Sequence, residues 1–173
     1  MYKAIIMTLL VVLISGCSAN TKKTEQKTEP TAKEKIQEIV SMCADASEAM
    51  KARQAEKSLF LRLGGEEGIR TFATKLLEAH KVNPTVGHRF EHLPTERFVN
   101  NVTHFLSTHS GSGEAYTGRT MEEVHRGMNI TSEEFLISGG EIQTIMKELG
   151  AGDNEIQEAI CFMTSFVPDV VVD

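Results

Sequence analysis

The chain has 173 residues, 40 % of them hydrophobic and 24 % charged, with a net charge of −6. That is enough for one ordinary globular domain with tails. The acidic balance speaks against a nucleic-acid partner, and the chain carries no internal repeat, phosphate-binding loop or zinc-type Cys/His cluster.

In chain order, Lys3 is followed by an apolar run, Ala4 to Ile14, too short for a comfortable membrane span. The run ends in Ile14-Ser15-Gly16-Cys17, which resembles the lipobox of bacterial lipoproteins. Residues 1–16 are therefore expected to be a lipoprotein signal peptide and Cys17 the lipidated first residue, with an uncleaved anchor or an ordinary signal peptide as the alternatives. This implies a cell-envelope protein, lipid-anchored outside the cytoplasm. Ser18 after the Cys does not suggest inner-membrane retention in a two-membrane bacterium. Residues 17–33 are rich in Thr, Lys, Glu and Gln and nearly devoid of apolar side chains, so they read as a flexible tether.

Over residues 34–57, Ile36, Ile39, Val40, Cys43, Ala46 and Met50 recur at helical spacing and predict an amphipathic helix that packs back on the globule. Export makes disulfides possible, and Cys43 and Cys161 remain once Cys17 is set aside; one bridge or two unpaired buried thiols fit equally. Ser58 to Leu63 leads to Gly64-Gly65, a sharp joint between helices. A second apolar face follows (Ile69, Phe72, Ala73, Leu76, Leu77) and stops at Asn83-Pro84. Residues 86–93 are short and carry Phe90. Pro94-Thr95 opens a helix with Phe98, Val102, Phe105 and Leu106 on one side, broken at Ser110-Gly111-Ser112-Gly113.

Tyr116 to Ile130 reads as a loop, a short helix and a second loop. Thr120 and Glu123 form a capping box, and Gly127 with Asn129 stops the helix after about two turns. His125 lies one turn after Met121, with Val124 and Met128 on nearby faces. A single imidazole on an apolar stripe fits a core histidine, and equally an axial ligand to haem iron. Thr131 with Glu134 caps the next helix, which bears Phe135, Leu136, Ile142, Ile145, Met146 and Leu149 and ends at Gly150. The last helix starts at Asp153, carries Ile156, Ile160, Phe162, Met163 and Phe166, and is expected to end at Pro168. The fold class is all-α.

With this helix order in view, residues 58–173 resemble a truncated haemoglobin of group I, the two-over-two globin, here with an extra N-terminal helix. The resemblance covers about two-thirds of the chain and rests on several pieces in order. Ser58 to Gly65 is similar to the family's first-helix motif and glycine joint. Arg89-Phe90 falls at its aromatic pair, with Arg89 in place of one aromatic. Gly111-Ser112-Gly113 is similar to its second joint, Tyr116-Thr117-Gly118 to its loop before the proximal helix, and Val124-His125 with Gly127 or Met128 to its proximal motif.

The resemblance implies haem b, held by His125 through Nε2 while Nδ1–H donates to a backbone carbonyl. It implies that Met121, Val124, Ile130 and Phe135 line the proximal side and edge, and that Phe90 and Phe105 pack on the porphyrin. No Cys-x-x-Cys-His occurs and the last helix has no His, so covalent attachment of either kind is not expected. The departure is distal. Where group I members usually place a Tyr, and a Gln or another polar residue, the matching positions are Leu77, Phe98 and Val102, all apolar. Thr74, Asn101, Thr103 and His104 are nearby but point off that stripe, Asn101 and Thr103 being nearest to it. The expected function is binding of a diatomic gas (oxygen, nitric oxide or carbon monoxide) at a five-coordinate haem iron. The alternative is a haem enzyme that detoxifies nitric oxide or peroxide at the cell surface with an electron donor the sequence does not identify. No catalytic base or nucleophile is evident from residue types.

Overall fold

The computed structural model describes residues 29–173; the expected signal peptide, Cys17 and most of the expected tether lie outside the described residues. Eight α-helices occur in the described part: α1 (Ala32–Glu56), α2 (Leu59–Arg62), α3 (Gly65–Val82), α4 (Thr95–His109), α5 (Met121–His125), α6 (Ser132–Glu148), α7 (Asp153–Thr164) and α8 (Val167–Val170), with a 3-10 turn at Gly87–Arg89 between α3 and α4. There is no strand among the described residues, only a single parallel bridge between Ile130 and Val171. After α2, α3 pairs with α4 and α6 with α7, and α6 also packs on α3.

α1 begins two residues inside the stretch expected to be tether. Thr31 accepts from the Glu34 amide at 3.3 Å while the Thr31 amide donates to the Glu34 carboxylate at 2.7 Å, a capping box that sets the start at Ala32. α1 lies against α6 and α7. Its Cys43 is bridged to Cys161 of α7, with the two Cα atoms 5.4 Å apart. Beside the bridge, Arg53 pairs with Glu158 at 2.5 Å, and Arg62 of α2 pairs with both Glu155, at 2.5 Å, and Glu158. Two helices preceding the main sandwich are thus tied to α7 by one covalent bond and a shared group of carboxylates.

The joint between α2 and α3 needs glycine. Gly64 and Gly65 have φ of +85° and +68°, and a Cβ on Gly68 would sit 1.9 Å from the Leu63 carbonyl oxygen. At the other end of α3, Asn83 caps the turn, its side-chain oxygen accepting from the Thr85 amide at 2.9 Å. The α3–α4 crossing uses small side chains: Ala73 on one helix is fully buried, and Val99, Thr103 and Ser107 are buried at successive turns of the other.

The last helix does not run to Pro168. It stops at Thr164, whose hydroxyl donates to the Ile160 carbonyl at 2.7 Å, and a separate short helix carries Pro168 in its first turn. Proline is tolerated there because the first-turn amides have no intrahelical acceptor to lose.

Candidate functional site

α5 is fixed at both ends before any ligand is considered. The Glu123 amide donates to Thr120 Oγ1 at 3.2 Å and the Thr120 amide donates to Glu123 at 2.9 Å. Past its C-terminus Gly127 takes φ +79° and Asn129 φ +49°, both left-handed. Between these stops, His125 Nδ1 lies 2.9 Å from the Met121 carbonyl oxygen, so Nδ1–H donates and the Nε2 lone pair is left free. The ring is partly buried and lines a cavity of about 2220 Å³ bounded by all the larger helices.

α4 shows why that cavity is more than a packing defect. Its buried side is Val99, Thr103 and Ser107, which includes two hydroxyl groups without hydrogen-bond partners among the described residues. Its apolar side, Phe98, Val102 and Phe105, is only half-buried and faces the cavity. A helix that turns its large apolar residues toward open space is shaped for an apolar occupant. Met121 and Val124 of α5, with Ile130 and Phe135, also line the cavity. Phe90 meets Phe98 edge-on at 5.9 Å. Phe105 sits in an aromatic group with Tyr116 at 5.3 Å, Phe162 at 5.5 Å and Phe166 at 5.6 Å.

Of the distal residues expected from the sequence, Phe98 and Val102 line the cavity and Leu77 does not. Leu77 is 1 % exposed and is not on the cavity wall; Phe72, Leu76 and His80, spaced four apart, are among the α3 residues that line it, with Glu67, Gly68, Ile69 and Thr71 nearer the helix start. A leucine one position further along is turned by about 100° and buried instead. Asn101 and His104 do line the cavity, because the exposed arc of α4 is wider than the apolar stripe and takes in its flanks. Thr103, by contrast, is buried at 2 % exposure on the opposite side.

Two pairings had no signal in local spacing. Arg89, standing where the family's second aromatic is usual, donates from Nε and Nη2 to the two oxygens of Glu134, both at 2.8 Å, and from Nη1 to the Met128 carbonyl at 2.6 Å. It fastens the 3-10 turn to the start of α6 and the end of the α5 loop. The Arg89 guanidinium first, then the capping contacts of Thr131 against the opposing effect of burial, hold the Glu134 carboxyl below its ordinary value. A depressed carboxyl contributes stability above its unfolded value and loses it as pH falls through the folded one. Arg89→Met leaves Glu134, 9 % exposed, without its cation; the expected loss is about 2–3 kcal/mol. Denaturant unfolding at neutral pH checks this, and the gap to wild type should shrink in acid. Equal midpoints at neutral pH would show the pair to be idle.

The second pairing is His80 with Glu141, at 2.5 Å through Nδ1. Asn83 Nδ2 donates to the other Glu141 oxygen at 2.9 Å. Burial, opposed by Glu141, pushes the His80 imidazole below its ordinary value, so the neutral ring is favoured. Among the described residues, no cluster of three or more His, Cys, Asp or Glu side chains is placed to hold a bare metal ion.

No family model matches the chain. It is similar to a group 1 truncated haemoglobin of Tetrahymena pyriformis, 27 % identical over 103 residues, which covers 60 % of this chain and 85 % of that protein. The Tetrahymena thermophila protein of the same description is 27 % identical over 104 residues, covering 60 % and 86 %. The Mycolicibacterium paratuberculosis group 1 truncated haemoglobin is 22 % identical over 119 residues, covering 68 % and 88 %. The fold is similar to the crystal structure of the Tetrahymena pyriformis truncated haemoglobin in its Fe(III) form, with a TM-score of 0.64 and 25 % identity, over 68 % of this chain and 100 % of that one.

Proposed function

We propose that this chain, a relative of the group 1 truncated haemoglobins in sequence and fold, binds haem b through His125 and takes up a diatomic gas. The observation that carries the reading is His125: its Nδ1 is committed to Met121 and its Nε2 is free toward a cavity walled by phenylalanine, valine and methionine side chains. The cavity fits the group on three counts. Its walls are apolar, it holds an oriented imidazole, and its lining includes Arg97 and Arg119, exposed cations without an ion-pair partner among the described residues, which suit the two propionates. When bound, haem would supply an iron, held by His125, at which a diatomic gas binds.

The protein's part is to hold and exclude. The Met121 carbonyl fixes the His125 ring and its tautomer. Phe98, Val102 and Phe90 keep bulk water from the gas side. An optical titration with haemin, followed by reduction and exposure to oxygen, nitric oxide and carbon monoxide, tests the reading. A five-coordinate reduced spectrum that changes with each gas is expected, and failure to take up haem at equimolar ratio overturns it. Turnover of nitric oxide or peroxide with an external electron donor is the alternative role of the same site.

We further infer that the domain works outside the cytoplasm, tethered to a membrane through lipid on Cys17. The Cys43–Cys161 bridge supports this, since structural disulfides persist in oxidising compartments. Stable anchoring requires at least two acyl chains. Cys17→Ala is expected to abolish fatty-acid labelling, and labelling that persists sinks the idea.

A further inference from the structure

The described wall of the cavity has a polar group the gas-binding reading does not use. His80 enters from the last turn of α3, stacked at 4.6 Å and 37° on Phe90, which in turn meets Phe98. His125 enters from α5, which packs on α8. His80 is 5 % exposed. Its Nδ1 is bound to Glu141, and Glu141 is held in turn by Asn83. Its Nε2 makes no hydrogen bond among the described residues, and it is not one of the enclosed unpartnered atoms, which are confined to Thr103 and Ser107. His80 lines the cavity, and Nε2 is the ring nitrogen left without a partner there. The order is Asn83, Glu141, His80, cavity: a base, an orienting carboxylate and an amide that fixes the carboxylate.

We propose that His80 is the proton-accepting residue for weakly acidic ligands, such as hydrogen cyanide or hydrogen peroxide, that enter this cavity as the protonated molecule and bind as the anion. The proposal rests on the haem reading above. In the step, the H–X bond of the ligand breaks, its proton passes to His80 Nε2, and the electron pair stays on X, which binds as X⁻. The imidazolium so formed keeps its Nδ1–H on Glu141, whose negative charge balances it. The neutral resting ring is what makes Nε2 an acceptor, and burial favours that form. The other charged groups around it are committed or remote. Arg89 on the 3-10 turn is held by Glu134, Arg62 on α2 is held by Glu155 and Glu158, and Glu78 and Lys81 on its own helix are exposed. Arg97 of α4 is exposed at the cavity surface. A gas that carries no proton makes no demand on His80.

The test is the association rate of cyanide, followed optically across pH, for the haem-loaded wild type, His80→Leu and Glu141→Gln, with carbon monoxide as the control. His80→Leu is expected to slow cyanide association by about 10²-fold, the lower end of what a positioned acid or base supplies, and to leave carbon monoxide within about twofold. Glu141→Gln, which keeps the shape and removes the charge, should slow cyanide by a smaller factor and shift the pH at which the rate changes. Cyanide rates equal to wild type in a haem-loaded His80→Leu overturn the proposal. If that variant does not take up haem, Glu141→Gln decides, and an unchanged cyanide rate and pH profile overturn it. Wild type that takes up no haem overturns the haem reading, and this inference with it.

Discussion

His125→Gly is expected to lose haem on gel filtration, and to regain a spectrum close to wild type when imidazole is supplied. His125 presents an unencumbered Nε2 at α5, Val124 beside it has no ligating atom, and the Met121 thioether is a weaker ligand than imidazole for ferric iron. Loss of only the orienting partner of a metal-bound histidine typically costs about 10- to 100-fold in affinity, so loss of the ligand itself should exceed that. The fold should survive. α5 has only five residues and no buried member, and its capping box and glycine stop do not involve the His125 side chain. Glycine also leaves a space the size of the imidazole that free imidazole can enter. Circular dichroism of the haem-free variant should therefore match haem-free wild type. A variant that retains an unchanged spectrum without imidazole would place the ligand elsewhere, and His80 would be the next residue to replace.

What was legible in the sequence was mostly local. The capping boxes at Thr120–Glu123 and Thr131–Glu134 and the glycine stop at Gly127 are short-range devices, and they bracket His125 in the structure as they do in the sequence. The same device at Thr31–Glu34 was hidden by its polar surroundings, which read as tether. Helical spacing also yielded the apolar stripe of α4. It did not show that the opposite, more polar side would be the one buried, because Val99, Thr103 and Ser107 are small enough to let α3 approach closely. That reversal is what turns Phe98 and Val102 toward the cavity and brings Asn101 and His104 with them. For the same reason a wheel drawn on α3 could not separate Leu76 from Leu77: both are apolar and buried, and only the path of the neighbouring helices decides which one meets the cavity.

The long-range polar pairs had no local signal at all. Arg89 and Glu134 are 45 residues apart, and His80 and Glu141 are 61 apart. Arg89 looked like the loss of an aromatic; the structure shows it exchanging ring packing for a bidentate clamp between three segments. His80 follows the apolar face of α3 and carries no local signal of its own. Each depends on a carboxylate delivered by α6, so each became visible only once α3, the 3-10 turn and α6 were assembled.

Replacing both Cys43 and Cys161 by Ser is expected to lower the stability of the folded domain by about 4–5 kcal/mol. The bridge joins residues separated by 118 positions, so it removes a long loop's worth of conformational freedom from the unfolded chain. That is the limit in which the chain-entropy account gives its largest gains. The noncovalent ties across the same contact, Arg53–Glu158 and Arg62 with Glu155 and Glu158, remain in the variant, with exposures of 7–24 %. They hold α1 and α2 against α7 in the folded state but constrain nothing in the unfolded one. The variant should therefore keep the native helix content and lose midpoint in denaturant, with a steeper slope because its unfolded state is more open. Unfolded, unreduced wild type should show no free thiol from Cys43 or Cys161. A double variant with an unchanged midpoint, or two reactive thiols in unreduced wild type, would mean that the bridge is absent or that the unfolded chain is already restrained by other contacts.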